Sequence, residues 1–248
     1  MALDRQDSKK DTLFASGDEP GTAFVFDERV VQVFPDMIAR SAPGYELMVP
    51  MIGLLARRYG QEESNIYDLG CSLGATTLAI RDAVRARNVR IIAVDNSPAM
   101  VRQCRENMER YQGPVTVDVR QEDIRDTRFE NASVVALNLT LQFIDRKDRL
   151  PLLQRIAGGM NPGAALVLSE KVRFENARSQ QDQADWHHDF KRARGYSDLE
   201  IARKRTALEN VLQPDTEQIH QQRLLEAGFS RVERWFQCFS FQSFVAFR

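Results

Sequence analysis

Tyr67-Asp-Leu-Gly-Cys-Ser-Leu-Gly-Ala75 is the stretch whose reading decides the fold. Asn65–Leu69 is a short apolar run of strand character, and it ends at Gly70. A glycine there lets the chain turn sharply and lets a ligand approach the backbone with no Cβ in the way. From Ala75 to Arg87 the pattern is helical. A strand that passes through a glycine-bearing turn into a helix opens a βα unit, and open α/β sheets bind ligands at the carboxyl ends of their strands. Gly70 and Gly74 bracket Cys71, Ser72 and Leu73, so the G-x-G-x-x-G cradle for a pyrophosphate is missing and an NAD dehydrogenase is disfavoured. A nucleoside without phosphate, such as S-adenosylmethionine (SAM), needs less of that donor array. A tight strand–helix turn without function is the competing reading.

Working outward, the alternation repeats. Strand Val89–Asp95 leads to helix Pro98–Tyr111, with Pro98 placed at a first helical turn. Strands are predicted at Val115–Arg120 and Ser133–Asn138. Helix Arg149–Met160 stops at Asn161-Pro162-Gly163, and strand Ala164–Ser169 follows. Such alternation argues for a parallel sheet covered on both faces. The runs Arg231–Cys238 and Ser240–Phe247 could pair antiparallel at its edge. On the amino-terminal side, Asp27 can cap a short helix that Pro35 interrupts, and Gly44–Tyr59 has apolar residues at helical spacing. Residues 1–22 read as a flexible tail, and 23–248 as one domain.

Composition narrows the class. A chain of 248 residues, 43% hydrophobic, can bury one full α/β core. Its 34 basic and 35 acidic side chains nearly cancel, so no global basic field draws in nucleic acid. Cys71, Cys104 and Cys238 show no metal-ligand spacing, and no metal is expected; a reduced cytoplasmic setting fits them. The first residues lack the apolar core of a signal peptide, and no stretch of about 18 apolar residues occurs.

The other strand ends supply candidate contacts. Asp95, followed by Asn96, can accept both ribose hydroxyls, although an Asp before Ser97-Pro98 is also a helix cap. After the next strand, Asp123 could accept an adenine amino group while Ile124 packs on the ring; an acidic loop of this kind is otherwise ordinary solvated surface. Asn138 ends the fourth strand facing the same crevice. Further on, Ser197-Asp-Leu-Glu200 is a capping box. On the helix it opens, Ile201, Arg205, Leu208 and Leu212 fall on one stripe at steps of four, three and four. Arg205 is the charged member of that stripe, and its planar fork matches a carboxylate. A surface pair with Glu209 is the plainer alternative.

The order of these pieces resembles the class I SAM-dependent methyltransferase superfamily from about residue 64 onward. A closer likeness rests on Phe26-Asp-Glu-Arg-Val30, Val33-Phe-Pro-Asp-Met37, Pro43-Gly-Tyr45, Tyr67 to Gly74, Asp95-Asn-Ser-Pro-Ala-Met100 and Leu141-Gln-Phe143. It continues through Leu168-Ser-Glu-Lys171, His187-His-Asp-Phe-Lys191, Gly195-Tyr-Ser197, Leu208-Glu-Asn210 and Trp235-Phe-Gln-Cys-Phe239. These motifs resemble the carboxy-S-adenosyl-L-methionine synthase family of bacterial tRNA wobble-uridine modification. That resemblance implies a Rossmann-like, mostly parallel seven-stranded sheet with helices on both faces and an antiparallel C-terminal strand. It also implies SAM and prephenate as substrates, carboxy-SAM and phenylpyruvate as products, a homodimer, and a functional link to a tRNA carboxymethyl transferase. The implied ligand contacts are Tyr45, Gly70, Cys71, Ser72, Asp95, Asn96, Asp123, Ile124, Asn138 and Arg205, with Arg205 taking the product's added carboxylate.

The sequence offers no outstanding nucleophile–base pair. His187 and His188 are adjacent, so on a helix they point about 100° apart and make no matched pair. The chemistry would then come largely from prephenate, which gains aromaticity as it sheds carbon dioxide and hydroxide. The hydroxide would take a proton from the sulfonium methyl, and the resulting ylide would capture the carbon dioxide in a site that orients reactants and excludes water. An ordinary methyltransferase, or a SAM-binding partner of a tRNA-modifying enzyme without turnover, shares the nucleoside features and remains the alternative.

Overall fold

Strands alternate with helices through the first two thirds of the chain, and the central ones, rich in Val, Ile, Leu and Ala, are covered on both faces while the edge strand at Thr116–Gln121 is only partly buried. The computed structural model describes residues 9–15, 24–208 and 211–248. Helices α1 (Glu28–Ser41) and α2 (Tyr45–Tyr59) precede β1 (Asn65–Leu69), α3 (Ala75–Ala83), β2 (Arg90–Asp95), α4 (Pro98–Arg110), β3 (Thr116–Gln121) and β4 (Ala132–Asn138). Then come α5 (Arg146–Gly159), β5 (Met160–Lys171), α6 (Ala177–Ala193), α7 (Asp198–Leu208), α8 (Glu217–Glu226), β6 (Arg231–Cys238) and β7 (Phe241–Phe247). The seven strands lie in the order β3-β2-β1-β4-β5-β7-β6. β1 to β5 pair in parallel, and the β6–β7 hairpin adds antiparallel to β5. The expected sheet and its antiparallel C-terminal edge are both present.

Side chains alternate faces along each strand. Tyr67, Leu69, Val135, Leu137, Leu166 and Leu168 point to one side, where they pack with α5 and with Leu224 of α8. Ile66, Ile91, Val134, Ala136 and Val167 point to the other, against Met48, Ile52 and Ala56 of α2 and Ile80 of α3. Burial on both faces explains why these strands read as continuous apolar runs. No helix among the described residues is long and apolar enough to cross a membrane.

Several expectations are corrected. Pro35 does not interrupt α1, because one lost backbone hydrogen bond is outweighed by burial of Val30, Val33 and Met37 on one face. Asp27 caps that helix as expected, accepting from the backbone of Arg29 and Val30. α3 stops at Ala83, where Val84 turns extended and is buried. The turn at Asn161-Pro162-Gly163 lies inside β5, in a register break between the pairs Ala132–Met160 and Val134–Ala165. The flexible tail is also revised for residues 9–15. Asp11 is 1% exposed, its backbone N–H donates to Asp36 Oδ2 (2.7 Å), and its carboxylate accepts from the Tyr196 hydroxyl. The same carboxylate lies 3.5 Å from Lys204 Nζ, so it compensates a buried cation, which a sequence read locally could not reveal. The rest of the predicted tail, 1–8 and 16–22, lies outside the described residues.

Candidate active site

The turn after β1 is built around Gly70, whose φ is +75°. A Cβ there would stand 2.3 Å from Thr140 Oγ1, so only glycine fits both the conformation and the space. The backbone N–H groups of Gly70 and Cys71 both donate to the Val94 carbonyl (2.8 and 3.0 Å), which locks the turn to the end of β2. Two positions on, the Ser72 N–H donates to Asp95 Oδ2 at 2.9 Å. The other Asp95 oxygen accepts from Ser97 N–H, also at 2.9 Å. α4 is capped by Ser97, whose Oγ accepts from Met100 N–H, so the helix-cap reading of Asp95 gives way. Burial pushes the Asp95 carboxyl above the usual carboxylate range, opposed by backbone N–H groups of Ser97, Ser72 and Asn96.

Asp123 sits in the turn after β3 and grips Arg125 through both oxygens (2.8 Å from Oδ2 to Nη2). Those bonds hold its carboxyl below the usual range. Ile124 beside it is buried. At the end of β4, Asn138 Nδ2 donates to Thr76 Oγ1 (3.0 Å), while its Oδ1 is buried without a protein partner. Tyr45 opens α2, and burial together with the charge of Asp68 pushes its phenol up. Asp68 itself is 1% exposed, accepts from Thr77 Oγ1 at 2.5 Å, and is pushed up to about 7 by burial.

Every sequence-predicted site residue except Arg205 lines a single cavity of about 280 Å³. The strand order sets their sequence across the sheet edge: Asp123, Asp95, Gly70, Asn138, and last Lys171 at the end of β5. Adjacent strands lie about 4.8 Å apart, so roughly 14 Å separates the β2 and β5 ends.

Arg205 requires a correction. It is exposed and does not line the cavity of its own chain. The capping box forms as expected, with Ser197 N–H donating to Glu200 Oε2 and Ser197 Oγ accepting from Glu200 N–H. The face of α7 that turns inward, however, runs through Ile201, Lys204 and Leu208 rather than through Arg205. On a helix, steps of three and of four both return to one face, and the three-residue step is the one used here. Glu209, the alternative partner, lies outside the described residues.

The cavity holds groups that the sequence reading did not assign. Lys171, Lys191 and Lys204 line it from β5, α6 and α7. Lys204 Nζ donates to Ser41 Oγ (2.8 Å), and burial lowers this ammonium to about 8 against the pull of Asp11. Burial first, then the charges of Lys171 and Lys204, lower Lys191 to about 7. His187 meets the Ser41 carbonyl at 2.7 Å, which places the ring proton on Nε2. Burial and the neighbouring Lys191 and Lys171 lower it to about 2, so it is neutral. Glu170, fully buried, accepts from Leu141 and Gln142 N–H (2.8 and 2.9 Å) and fixes the turn carrying Thr140 to Phe143. Burial pushes it up to about 8. Phe26 and Phe143 meet edge to face at 5.5 Å in the wall. The one advance signal for this cluster is a lysine closing the polar strand end Ser169-Glu170-Lys171, where the fold class puts ligands.

Residues 66–163 match a family described as a methyltransferase domain. A protein of Salmonella paratyphi C (strain RKS4594) named carboxy-S-adenosyl-L-methionine synthase is 53% identical over 97% of this chain and 98% of its own length. Among solved structures, human N-acetylserotonin methyltransferase in complex with SAM is similar in fold, with a TM-score of 0.60 at 15% identity. That match covers 89% of this chain and 55% of the human one. The cyclopropane synthase MmaA2 of Mycobacterium tuberculosis gives 0.56 at 14% identity, covering 90% and 71%.

Proposed function

The chain belongs to the carboxy-S-adenosyl-L-methionine synthase family, and from that premise we propose that it converts SAM and prephenate to carboxy-SAM, phenylpyruvate and water. The product would supply a tRNA carboxymethyl transferase that modifies the wobble uridine. The observation that carries this reading is the polarity of one cavity, which runs from the acceptors Asp95 and Asp123 to the cations Lys171, Lys191 and Lys204. Asp95 would accept from the ribose hydroxyls, and Asp123 with Ile124 would hold the adenine. Asn138 supports the amino-acid end, since its buried Oδ1 lacks a protein donor. Tyr45 borders the reacting centre.

The bonds balance without a protein nucleophile. Prephenate breaks its ring carboxylate bond and its ring C–O bond, releasing carbon dioxide and hydroxide as phenylpyruvate forms. Hydroxide takes a proton from the sulfonium methyl to give water and an ylide, and the ylide carbon bonds to carbon dioxide. The protein's part is to orient and to keep water out. Phe26 and Phe143 offer an apolar wall for the ring that becomes aromatic. His187, neutral and donating through Nε2 to a backbone carbonyl, holds position and leaves proton transfer to the departing hydroxide.

A homodimer fits the exposed apolar residues Leu47, Met51 and Leu54 along α2. Arg205, outside its own chain's cavity, would reach the product carboxylate only from a second copy. The activity is tested by incubating the protein with SAM and prephenate. The expected product is SAM plus one carbon dioxide, with one phenylpyruvate per turnover; a methylated product, or no consumption of prephenate, overturns the reading.

A further inference from the structure

The three cavity lysines differ in their compensation. Lys204 has Asp11 at 3.5 Å and Ser41 at 2.8 Å. Neither Lys171 nor Lys191 has a hydrogen-bond or ion-pair partner for its ammonium among the described residues, and the charges acting on Lys191 are those of the other two lysines. Lys191 is only 9% exposed, and both residues open onto the cavity. The histidine packed beside them is uncharged. Nearby cations on the same segment, Arg192 and Arg205, are exposed, and Arg192 is already taken by Asp189 and Asp198.

Burying an unpaired ammonium is costly, and burying two side by side more so, unless a ligand brings the missing charge. The number matters: two cations without a partner among the described residues call for a dianion. The place matters as well, because these cations stand at the β5 end, three strand spacings from Asp95 on β2. A nucleoside held at Asp95 and Asp123 leaves them free for the second substrate.

We infer that Lys171 and Lys191 form a dicarboxylate subsite, the two ammonium groups each taking one carboxylate of prephenate while Lys204, neutralised by Asp11, shapes the floor between α1 and α7. The inference rests on the function proposed above and names the residues that select its second substrate. It also gives a reason for the anchored segment at Asp11. Without that carboxylate the pocket would hold three free cations, one too many for a substrate of two negative charges.

The test compares Lys171→Met and Lys191→Met with Lys191→Arg and a surface control, Lys147→Met. SAM affinity is measured by calorimetry, prephenate KM by product mass spectrometry, and folding by thermal melting. Each Met variant is expected to raise the prephenate KM at least about tenfold, the loss of one charge-assisted contact. SAM affinity stays within twofold, and Lys191→Arg keeps most prephenate capture. An unchanged KM in both Met variants overturns the subsite. Equal losses of SAM and prephenate affinity also overturn it, because the lysines would then serve the SAM carboxylate. If one Met variant does not fold, the other and Lys191→Arg still decide. A wild-type protein that makes no carboxy-SAM would refute the proposed function itself, whereas normal wild-type turnover with unaffected Met variants refutes the subsite alone.

Discussion

Gly70→Ala tests how the turn after β1 is held. At φ +75° an alanine pays about 1 kcal/mol for the left-handed backbone. The added methyl also stands 2.3 Å from Thr140 Oγ1 and 2.5 Å from Thr140 Cγ2, an overpacking worth roughly 1–3 kcal/mol. The single variant should therefore lose about 2–4 kcal/mol, a fall in melting temperature of about 4–16 °C for a chain of this size. Thr140→Ala removes both close atoms and leaves a Cβ at 3.0 Å. The double variant should then recover most of the overpacking cost while keeping the backbone cost, giving a favourable coupling of about 1–3 kcal/mol in a double-mutant cycle. SAM affinity, read by calorimetry, should fall in Gly70→Ala and return in part with Thr140→Ala. Additive effects, with a coupling below about 0.5 kcal/mol, would refute the claim that Thr140 is what excludes a side chain at position 70.

Lys191, lowered to about 7 by burial and by Lys171 and Lys204, has a folded-state value below that of the unfolded chain, so its contribution to the stability of the ligand-free protein should grow as pH rises from about 7 to 10. Lys191→Met should flatten that gain and raise the melting temperature at pH 6, a trade of stability against prephenate capture that thermal scans would detect. In the same window the prephenate kcat/KM should decline above about pH 7 as Lys191 loses its proton, while Lys191→Arg moves the decline to higher pH, where Lys171, also lowered by burial, loses its own. The groups facing Lys191 are Lys171, Lys204 with its partner Asp11, and the two histidines, and His187 stays neutral throughout that range. Mixing Arg205→Ala subunits with Asn138→Leu subunits, each impaired alone, should restore part of the activity if Arg205 acts on a neighbouring copy; activity that is merely the average of the two would contradict that.

Much of the sheet was legible because its central strands are buried on both faces, so Ile66, Val94, Val135 and Leu166 stand in short apolar runs that end in polar or glycine-bearing turns. The lining of the cavity at the strand ends was legible too, because Gly70, Asp95, Asp123 and Asn138 each stand at or just beyond the end of a recognisable strand. The cation end was not. Lys191 and Lys204 sit on α6 and α7, helices of mostly polar sequence in which charged residues occupy nearly every face, and only packing selects which of them turns inward. Arg205 shares a four-residue step with Ile201 and Lys204 a three-residue step, and helical spacing alone does not say which of the two turns into the cavity of its own chain. Asp11 was unreadable for a different reason, since its partners Asp36, Tyr196 and Lys204 are all distant in the chain.

The direct test of the account follows a single carbon. With prephenate labelled at its ring carboxylate, in buffer containing unlabelled bicarbonate, the carboxymethyl group of the sulfonium product should carry the label in nearly every turnover. Product that is unlabelled, or that takes its carbon from bicarbonate in solution, would contradict a cavity that holds prephenate beside SAM and keeps the released carbon dioxide from escaping.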